Sequence, residues 1–221
     1  MRNKGTFGIE ITSNRIGNIM KIAAATNNKH KVTELLALFS GMPDVELVTL
    51  RELGFTDEII EDGETFLDNA RIKALAVHKA TGLACVADDS GLCVDALGGE
   101  PGVYSARYAS EDGENSDDKA NNEKLLRNLK DVPDNERTAR FVSALCFIDA
   151  DGNEVSAIGK CEGIITRGER GEGGFGYDPL FFFPKYGKTF GELTPEEKNS
   201  VSHRANAVKI LAEKLKEHYS V

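Results

Sequence analysis

The sequence predicts an α/β fold with an elongated, mixed central β-sheet that is flanked by helices. In the first half, short apolar segments alternate with segments of helical periodicity, which favours parallel strands. In the second half, two long β-rich segments meet at Asp151-Gly152, which predicts a long antiparallel hairpin. A chain of 221 residues with 40% hydrophobic residues is large enough to bury one core. Parallel and antiparallel pairs therefore share one sheet.

The first half is predicted to contain short strands and three helices. Apolar runs predict strands at 21–25, 45–49 and 83–87, and the last is broken by Asp88-Asp89-Ser90-Gly91 before continuing at 92–94. Helical spacing of Val32, Leu35, Leu36 and Phe39 predicts the first helix. A long helix is expected from about 65 to 79, a loop at 98–105 and an exposed helix at 116–130.

The second half is predicted to continue with the hairpin strands 140–149 and 154–166 and a glycine-rich loop at 168–176. Thr194-Pro195-Glu196-Glu197 is typical of a capping box with proline at the first helical position. Ser202 is expected to cap the last helix. The domain is expected to span 20–221, after a flexible N-terminal extension at 1–19 that lacks periodicity.

Charge and composition limit the partners. The formal net charge of −9 argues against a polynucleotide groove, and no run approaches the roughly 18 apolar residues that a membrane helix needs. Without a secretory pattern, a cytoplasmic location with reduced thiols is expected. Residues 51–70 and 111–136 together carry a net −11, so the remainder is net +2. The remainder includes Lys31, Lys73, Lys198 and Arg204, so a single small anionic substrate stays possible.

Two segments that follow predicted strands are candidate sites. Thr26-Asn27-Asn28-Lys29-His30-Lys31 opens a helix, where backbone N–H groups and a lysine favour an anion, although a simple helix cap is an alternative. Asp88-Asp89-Ser90-Gly91 places two carboxylates at the end of an apolar strand, which suits magnesium better than zinc. A plain turn is the alternative for that segment. Glu61 lies in an acidic loop, and such loops are usually just solvated.

Two later segments carry further candidates. The glycines at 171–176 match G-x-G-x-x-G, but Tyr177-Asp178-Pro179 follows them, so no helix opens and a dinucleotide site is excluded. Phe175 on this loop suits either stacking on a base or simple packing. Lys198 and Ser202-His203-Arg204 suit recognition of carbonyl or phosphate oxygens, with surface capping or pairing as the commoner alternative.

Together these segments resemble the inosine/xanthosine triphosphate pyrophosphatase family, which hydrolyses ITP, dITP and XTP to the monophosphate and pyrophosphate. The resemblance runs from Met20 to about His218. It implies an ITPase-like fold, a homodimer and a Mg²⁺-dependent site in a cleft that binds one nucleoside triphosphate. With the acidic residues concentrated in two other stretches, this cleft is expected to be compact and basic. The segments that carry it are 25–31, 88–92, Gly102-Val103-Tyr104-Ser105-Ala106-Arg107-Tyr108, 173–179 and 202–204.

The resemblance also implies roles for individual residues. Asp89 would accept the proton of the attacking water and share magnesium with Glu61, and Lys31 and Lys73 would assist catalysis at the triphosphate. Phe175 would stack on the base. The other substrate-binding residues implied are Thr26, Asn28, Ser90, Gly176, Tyr177, Asp178, Lys198, His203 and Arg204. The chain departs from the family pattern in residues 1–19, which precede the usual start of its members, and the variable Asn27 is assigned no role.

Three alternatives remain at this point. A related pyrophosphatase could prefer pyrimidine or modified nucleotides. A serine hydrolase using Ser90 and His203 is disfavoured because Ser90 lies in Asp-Ser-Gly and not in G-x-S-x-G. A non-catalytic nucleotide sensor is disfavoured because Glu61, Asp89, Lys31 and Lys73 are all present.

Overall fold

The computed structural model describes residues 15–16, 19–40, 44–111 and 113–218. These residues form a mixed sheet of eight strands and five α-helices. The strands are β1 Arg15–Ile16, β2 Ile19–Ala24, β3 Val45–Thr49, β4 Ala84–Val94, β5 Thr138–Ile148, β6 Glu154–Ile165, β7 Phe181–Phe183 and β8 Lys188–Thr189. The helices are α1 Lys29–Phe39, α2 Phe66–Thr81, α3 Asp118–Asn128, α4 Pro195–Val201 and α5 His203–His218.

The sheet has the order β1-β2-β4-β5-β6-β7-β8, and β3 also pairs with β2. β2 is parallel to β3 and β4, whereas the other pairs are antiparallel. β5 and β6 pair without interruption from Thr138 opposite Ile164 to Ile148 opposite Glu154. The prediction of a mixed sheet with a long hairpin is therefore confirmed.

β4 differs from its prediction. It runs unbroken through the four residues at 88–91, where a break and the alternative of a turn had been expected. The continuous ladder to β5, from Cys85 opposite Ile148 to Val94 opposite Ala139, holds this polar segment in the strand. Asp88 and Asp89 therefore project from opposite faces of the sheet, because successive strand residues alternate. The prediction of a turn at 88–91 was wrong, because pairing with the distant strand β5 outweighs the local turn propensity of these residues.

Helix termini follow the capping residues. Thr194 and Glu197 form the predicted capping box at α4, and the Ser202 hydroxyl accepts the Ala205 N–H at the start of α5. α3 was predicted to be exposed, but it buries Asn121, Asn122 and Leu125. The Asn121 amide oxygen accepts the Ala109 N–H, so this helix has a polar buried face that an apolar pattern cannot reveal.

Helices cover both faces of the sheet. α1 and α5 pack on one face around Ile22, Phe147 and Leu211, and α2 packs on the other around Ala74 and Val77. Cys85 and Cys146, buried against α2, are free thiols, and burial raises the pKa of each to about 12. This agrees with the expectation of reduced core thiols.

The predicted extension at 1–19 lies largely outside the described residues. Arg15–Ile16 pairs antiparallel with Ile19–Met20, so sheet structure begins before the expected boundary at Met20. Within the ranges described, no helix has both the length and the apolar composition that crossing a bilayer requires.

Candidate active site

A cleft of about 410 Å³ opens where the parallel strands β2 and β4 lie side by side. β2 ends at Ala24 and leads directly into the loop before α1. Val86 of β4 lies opposite Ala24, so Asp88 and Asp89 extend just beyond the end of β2. All fourteen residues predicted for the site line this cleft: Thr26, Asn28, Lys31, Glu61, Lys73, Asp89, Ser90, Phe175, Gly176, Tyr177, Asp178, Lys198, His203 and Arg204. The fold therefore brings together segments that are far apart in sequence.

Asn28 fixes the start of α1 at the rim of the cleft. Its side-chain oxygen accepts the backbone N–H groups of His30 and Lys31 at 3.0 and 3.1 Å, so the alternative of a helix cap holds for this residue. The Thr26 hydroxyl in turn accepts the Asn28 N–H at 3.2 Å. The cap orients the first turn so that the Lys31 ammonium reaches Asp88 at 3.1 Å and Asp89 at 3.8 Å.

Asp88 is completely buried. It accepts hydrogen bonds from Ser143 at 2.5 Å and Arg204 at 3.0 Å, and Lys31 lies close by. Burial alone would raise the pKa of this carboxyl, but Arg204 and Lys31 outweigh it and hold the pKa well below its usual range. Asp88 is thus a permanent anion that anchors two cations.

Asp89 faces the opposite side of the sheet, toward α2. Its carboxylate accepts the Asn69 amide at 3.2 Å and the Lys73 ammonium at 3.4 Å. Lys73 also donates to Glu61 at 2.5 Å, so Glu61 and Asp89 converge on one ammonium group. Burial would lower the pKa of Lys73, but the charges of Asp89 and Glu61 outweigh burial and raise that pKa.

The other end of the cleft is built around Lys198. Its ammonium donates to Asp178 at 2.6 Å and to Glu34 at 2.8 Å. Burial raises the pKa of Asp178 despite the opposing charge of Lys198. Glu34 also pairs with Arg204, and the two cations outweigh burial to lower the pKa of Glu34. Lys198 and Arg204 are buried, so the alternative of surface pairing is wrong for both.

His203 is buried beside these charges and stacks on Phe141 with ring centroids 4.8 Å apart. Burial, reinforced by Arg204 and Lys198, lowers its pKa well below the usual value, so the imidazole is neutral. Its Nδ1 and the Nε of Arg204 are buried and have no hydrogen-bond partner among the residues that the structure describes. Unpaired buried polar atoms are costly, so these two atoms stand out among the polar groups of the site.

The ionised groups form one unbroken sequence of contacts across the cleft. Five carboxylates alternate with four cations, each neighbouring pair within 4 Å, in the order Asp178, Lys198, Glu34, Arg204, Asp88, Lys31, Asp89, Lys73 and Glu61. We call this set the ion-pair chain. Its formal charge is −1, so the expectation of a basic cleft is wrong: each predicted cation is already paired with carboxylates, two of which, Glu34 and Asp88, were not among the predicted site residues.

Three predicted residues have contacts that fix the cleft wall. The Tyr177 hydroxyl donates to the Ser105 carbonyl at 2.8 Å, and the Gly176 N–H donates to Asp118 at 2.7 Å. The Ser90 hydroxyl accepts from Arg204 at 2.9 Å. Phe175 is half-buried, lines the cleft and stacks on His30, so its ring packs while it also faces the site.

Glu34 and Asn69 are site residues that the sequence did not single out, and Asp88, although part of a predicted segment, was assigned no role of its own. Glu34 meets its partners across separations of 164 and 170 residues, which leave no local pattern. Asn69 joins Asp89 to the loop that holds Glu61, because its side-chain oxygen also accepts the Gly63 N–H at 2.8 Å. The Asp-Asn pair at 68–69 was visible in the sequence, but only packing shows which of the two enters the site.

Comparison with known proteins adds independent findings. The model of the Ham1 family matches residues 22–214. A dITP/XTP pyrophosphatase of Desulforamulus reducens is 53% identical over 201 residues, which cover 90% of this chain and 98% of that protein. A dITP/XTP pyrophosphatase of Escherichia coli K12 is 46% identical, and the match covers 90% of this chain and 99% of the relative.

Solved structures agree with the sequence comparison. The Ham1 protein of Staphylococcus aureus superposes with a TM-score of 0.78 at 40% identity, covering 90% of this chain and 99% of that structure. A structure from Mycobacterium abscessus, described as a nucleoside-triphosphatase and dITP/XTP pyrophosphatase, has a TM-score of 0.69 at 48% identity. The match covers 87% of this chain and 98% of the Mycobacterium abscessus chain.

Proposed function

The chain belongs to the Ham1 family, and from this membership we propose that it hydrolyses dITP, ITP and XTP to the monophosphate and pyrophosphate. Such a hydrolase of nucleotide metabolism removes deaminated purines from the pool that supplies DNA and RNA synthesis. The observation that carries the proposal is the cleft itself, in which all the residues predicted for the base, the phosphates and the water meet.

Mg²⁺ is the proposed cofactor, and the donor set fits it. Glu61 and Asp89 present hard carboxylate oxygens that already converge on one cation, Lys73. Magnesium in proteins is commonly held by one or two carboxylates together with substrate phosphates. The ion-pair chain has a formal charge of −1, so a triphosphate needs further positive charge to enter. When bound, the ion would polarise the phosphate oxygens and neutralise charge.

Asp89 is proposed to accept the proton from the water that attacks the α-phosphorus. Asn69 and Lys73 hold its carboxylate in place, and the ammonium groups of Lys73 and Lys31 lie within 3.4 and 3.8 Å of it. These cations would neutralise the oxygens of the α-phosphate as the bond to pyrophosphate breaks. Because phosphoryl transfer requires mainly positioning and charge stabilisation, the preformed contacts account for much of the expected rate.

Base selection is proposed at the end of the cleft that holds Lys198, His203 and Arg204. Hypoxanthine and xanthine present an oxygen at the purine 6-position, which can accept a hydrogen bond from a buried donor such as the unpartnered Nε of Arg204. Adenine presents an amino group there, so donor would face donor. Mismatches of this kind in buried sites can discriminate by roughly 10⁴-fold.

Two further proposals concern the oligomeric state and the cellular location of the protein. We infer a homodimer and a cytoplasmic location, as the resemblance and the lack of a secretory pattern led us to expect. Size-exclusion chromatography with light scattering tests the first, because a homodimer has twice the 24.0 kDa mass of one chain. Elution at the monomer mass would contradict it.

The function is tested by incubating the purified chain with dITP, ITP, XTP, dATP, ATP, dGTP and dUTP, with and without magnesium. Phosphate is measured with malachite green, with and without added inorganic pyrophosphatase. We expect magnesium-dependent release of pyrophosphate that is far faster from dITP, ITP and XTP than from dATP or ATP. Comparable rates on ATP would contradict the proposal, and a preference for dUTP would favour the pyrimidine alternative. Tight binding of dITP without pyrophosphate release would favour a sensor.

A further inference from the structure

His30 and Phe175 form an aromatic pair at the mouth of the cleft. Their ring centroids are 4.8 Å apart and their planes differ by 14°, which is a stacked arrangement. Phe175 lines the cleft, whereas His30 is exposed and is absent from the lining residues that the structure describes. The imidazole therefore supports the phenyl ring from outside the cleft.

The two rings belong to different parts of the site. His30 lies on the first turn of α1, where its N–H donates to the capping Asn28 at 3.0 Å, next to the predicted phosphate loop. Phe175 lies on the glycine-rich loop, more than 140 residues later in the chain. The stack is thus a direct contact between the segment expected to bind phosphate and the segment expected to bind the base.

Two glycines shape the backbone on either side of Phe175. Gly174 and Gly176, which flank Phe175, have φ values of +76° and +61°, so the backbone on both sides adopts a conformation suited to glycine. Backbone contacts hold the loop, since Asp178 accepts the Phe175 N–H at 2.9 Å. These contacts involve the backbone and not the ring itself. Only His30 and the Lys198 ammonium, 4.7 Å from the ring centroid, contact the ring as aromatic or cationic partners among the described residues.

We propose that His30 is a positioning residue for the base: it holds the Phe175 ring in the orientation on which a purine stacks. This inference rests on the proposed function and adds a residue to it. Because the support acts on binding and not on the water or Asp89, its loss should raise KM and leave kcat unchanged. Since an aromatic pair contributes the equivalent of about 2- to 12-fold in binding, we expect His30→Ala to raise KM for dITP by a factor in that range.

A set of variants tests the inference through steady-state hydrolysis of dITP. His30→Phe keeps a flat ring and should restore the KM of the wild type, whereas Thr33→Ala, on the exposed side of the same helix, should change nothing. If His30 acts through Phe175, His30→Ala should have no further effect on KM in a Phe175→Ala background. An unchanged KM in His30→Ala, or full additivity in the double variant, would overturn the inference while the proposed function stands.

A second measurement needs no nucleotide. The chain contains no tryptophan, so His30→Trp introduces a single fluorescent indole at the stacking position. We expect acrylamide to quench this indole less than the indole of His30→Trp/Phe175→Ala, because the phenyl ring covers one face. Equal quenching would refute the stack in solution. Failure of the wild type to release pyrophosphate from dITP would refute the proposed function, and with it the role of His30 in base binding.

Discussion

Two adjacent carboxylates on β4 have opposite environments. Asp88 is sealed between Ser143, Arg204 and Lys31, whereas Asp89 retains about 9% exposure and lines the cleft. Because neighbouring strand residues point to opposite faces, a single dipeptide supplies both a buried anion that pairs with two cations and a carboxylate that faces the cleft. The different surroundings of the two residues therefore follow from strand geometry.

Asp89→Asn removes the proposed proton acceptor while it keeps the size of the side chain. We expect kcat for dITP to fall by at least about 100-fold, the lower end of the effect of a general base. Pyrophosphate release measures the change, and circular dichroism checks that the variant is folded. Turnover near that of the wild type would exclude Asp89 from this role.

His203 should make stability depend on pH. Burial lowers its pKa well below 6.5, so at acidic pH the unfolded chain binds a proton that the folded chain does not. Protonation of His203 in the unfolded chain therefore does not affect the free energy of unfolding above pH 6.5. Below pH 6.5 it lowers the free energy of unfolding by at most about 1.4 kcal/mol per pH unit. His203→Phe, which keeps the stack on Phe141, should show a shallower decline in urea unfolding. Equal slopes would contradict the prediction.

The types of side chain in the site could be predicted from the sequence, but their pairing could not. Lys198 and Arg204 were visible near a capped helix, yet their burial depends on Glu34, which is far away in the sequence. Glu34 itself is a typical helix residue with no local sign of function. Ion pairs across the fold are set by packing. Counting charges along the sequence therefore could not show which carboxylates neutralise the cleft.

At the scale of elements, one glycine sets the position of α5. A Cβ at Gly159 on β6 would collide with the Ala207 N and the His203 carbonyl, so the helix packs directly against the strand. This close approach brings His203 and Arg204, the first residues of α5, into the cleft. The glycine thus acts on the site from outside it.

Gly159→Ala should displace the start of α5. We expect a loss of about 1–3 kcal/mol in the free energy of unfolding, typical of overpacking, and a raised KM for dITP because Arg204 moves. Gly168→Ala is the matched control, since a Cβ at that position meets nothing within 4 Å. Chemical denaturation and steady-state kinetics measure the two effects. If both variants behave alike, the packing argument fails.

Elements with strong local patterns were predicted well, and the exceptions have a physical cause. The capping box at Thr194 and the hairpin of β5 and β6 depend on neighbouring residues, so both were visible in the sequence. β4 was divided at its polar centre because turn propensity is local, whereas the ladder that overrides it comes from β5, more than 50 residues later. Buried polar residues on α3 were missed for a similar reason.

At the scale of the whole molecule, the cleft collects residues from near both ends of the described chain, from Ala25 to Arg204. Ligand binding should therefore stabilise the complete fold. With Asp89→Asn, in which substrate persists, we expect dITP with magnesium at 100 times its Kd to add about 2.7 kcal/mol of stability. Differential scanning fluorimetry should show an increase in Tm with dITP and no increase with dATP. Equal shifts would argue against base selection at binding.

The ion-pair chain also constrains how related sequences can diverge. Replacing one interior member, such as Glu34, by an apolar residue leaves Arg204 paired with Asp88 alone and removes a carboxylate from between two buried cations, which is destabilising, whereas replacing both partners together can be nearly neutral. Members of the family should therefore exchange these positions in concert and seldom singly. Covariation between positions 34 and 204 in a deep alignment would be the evolutionary trace of the contact.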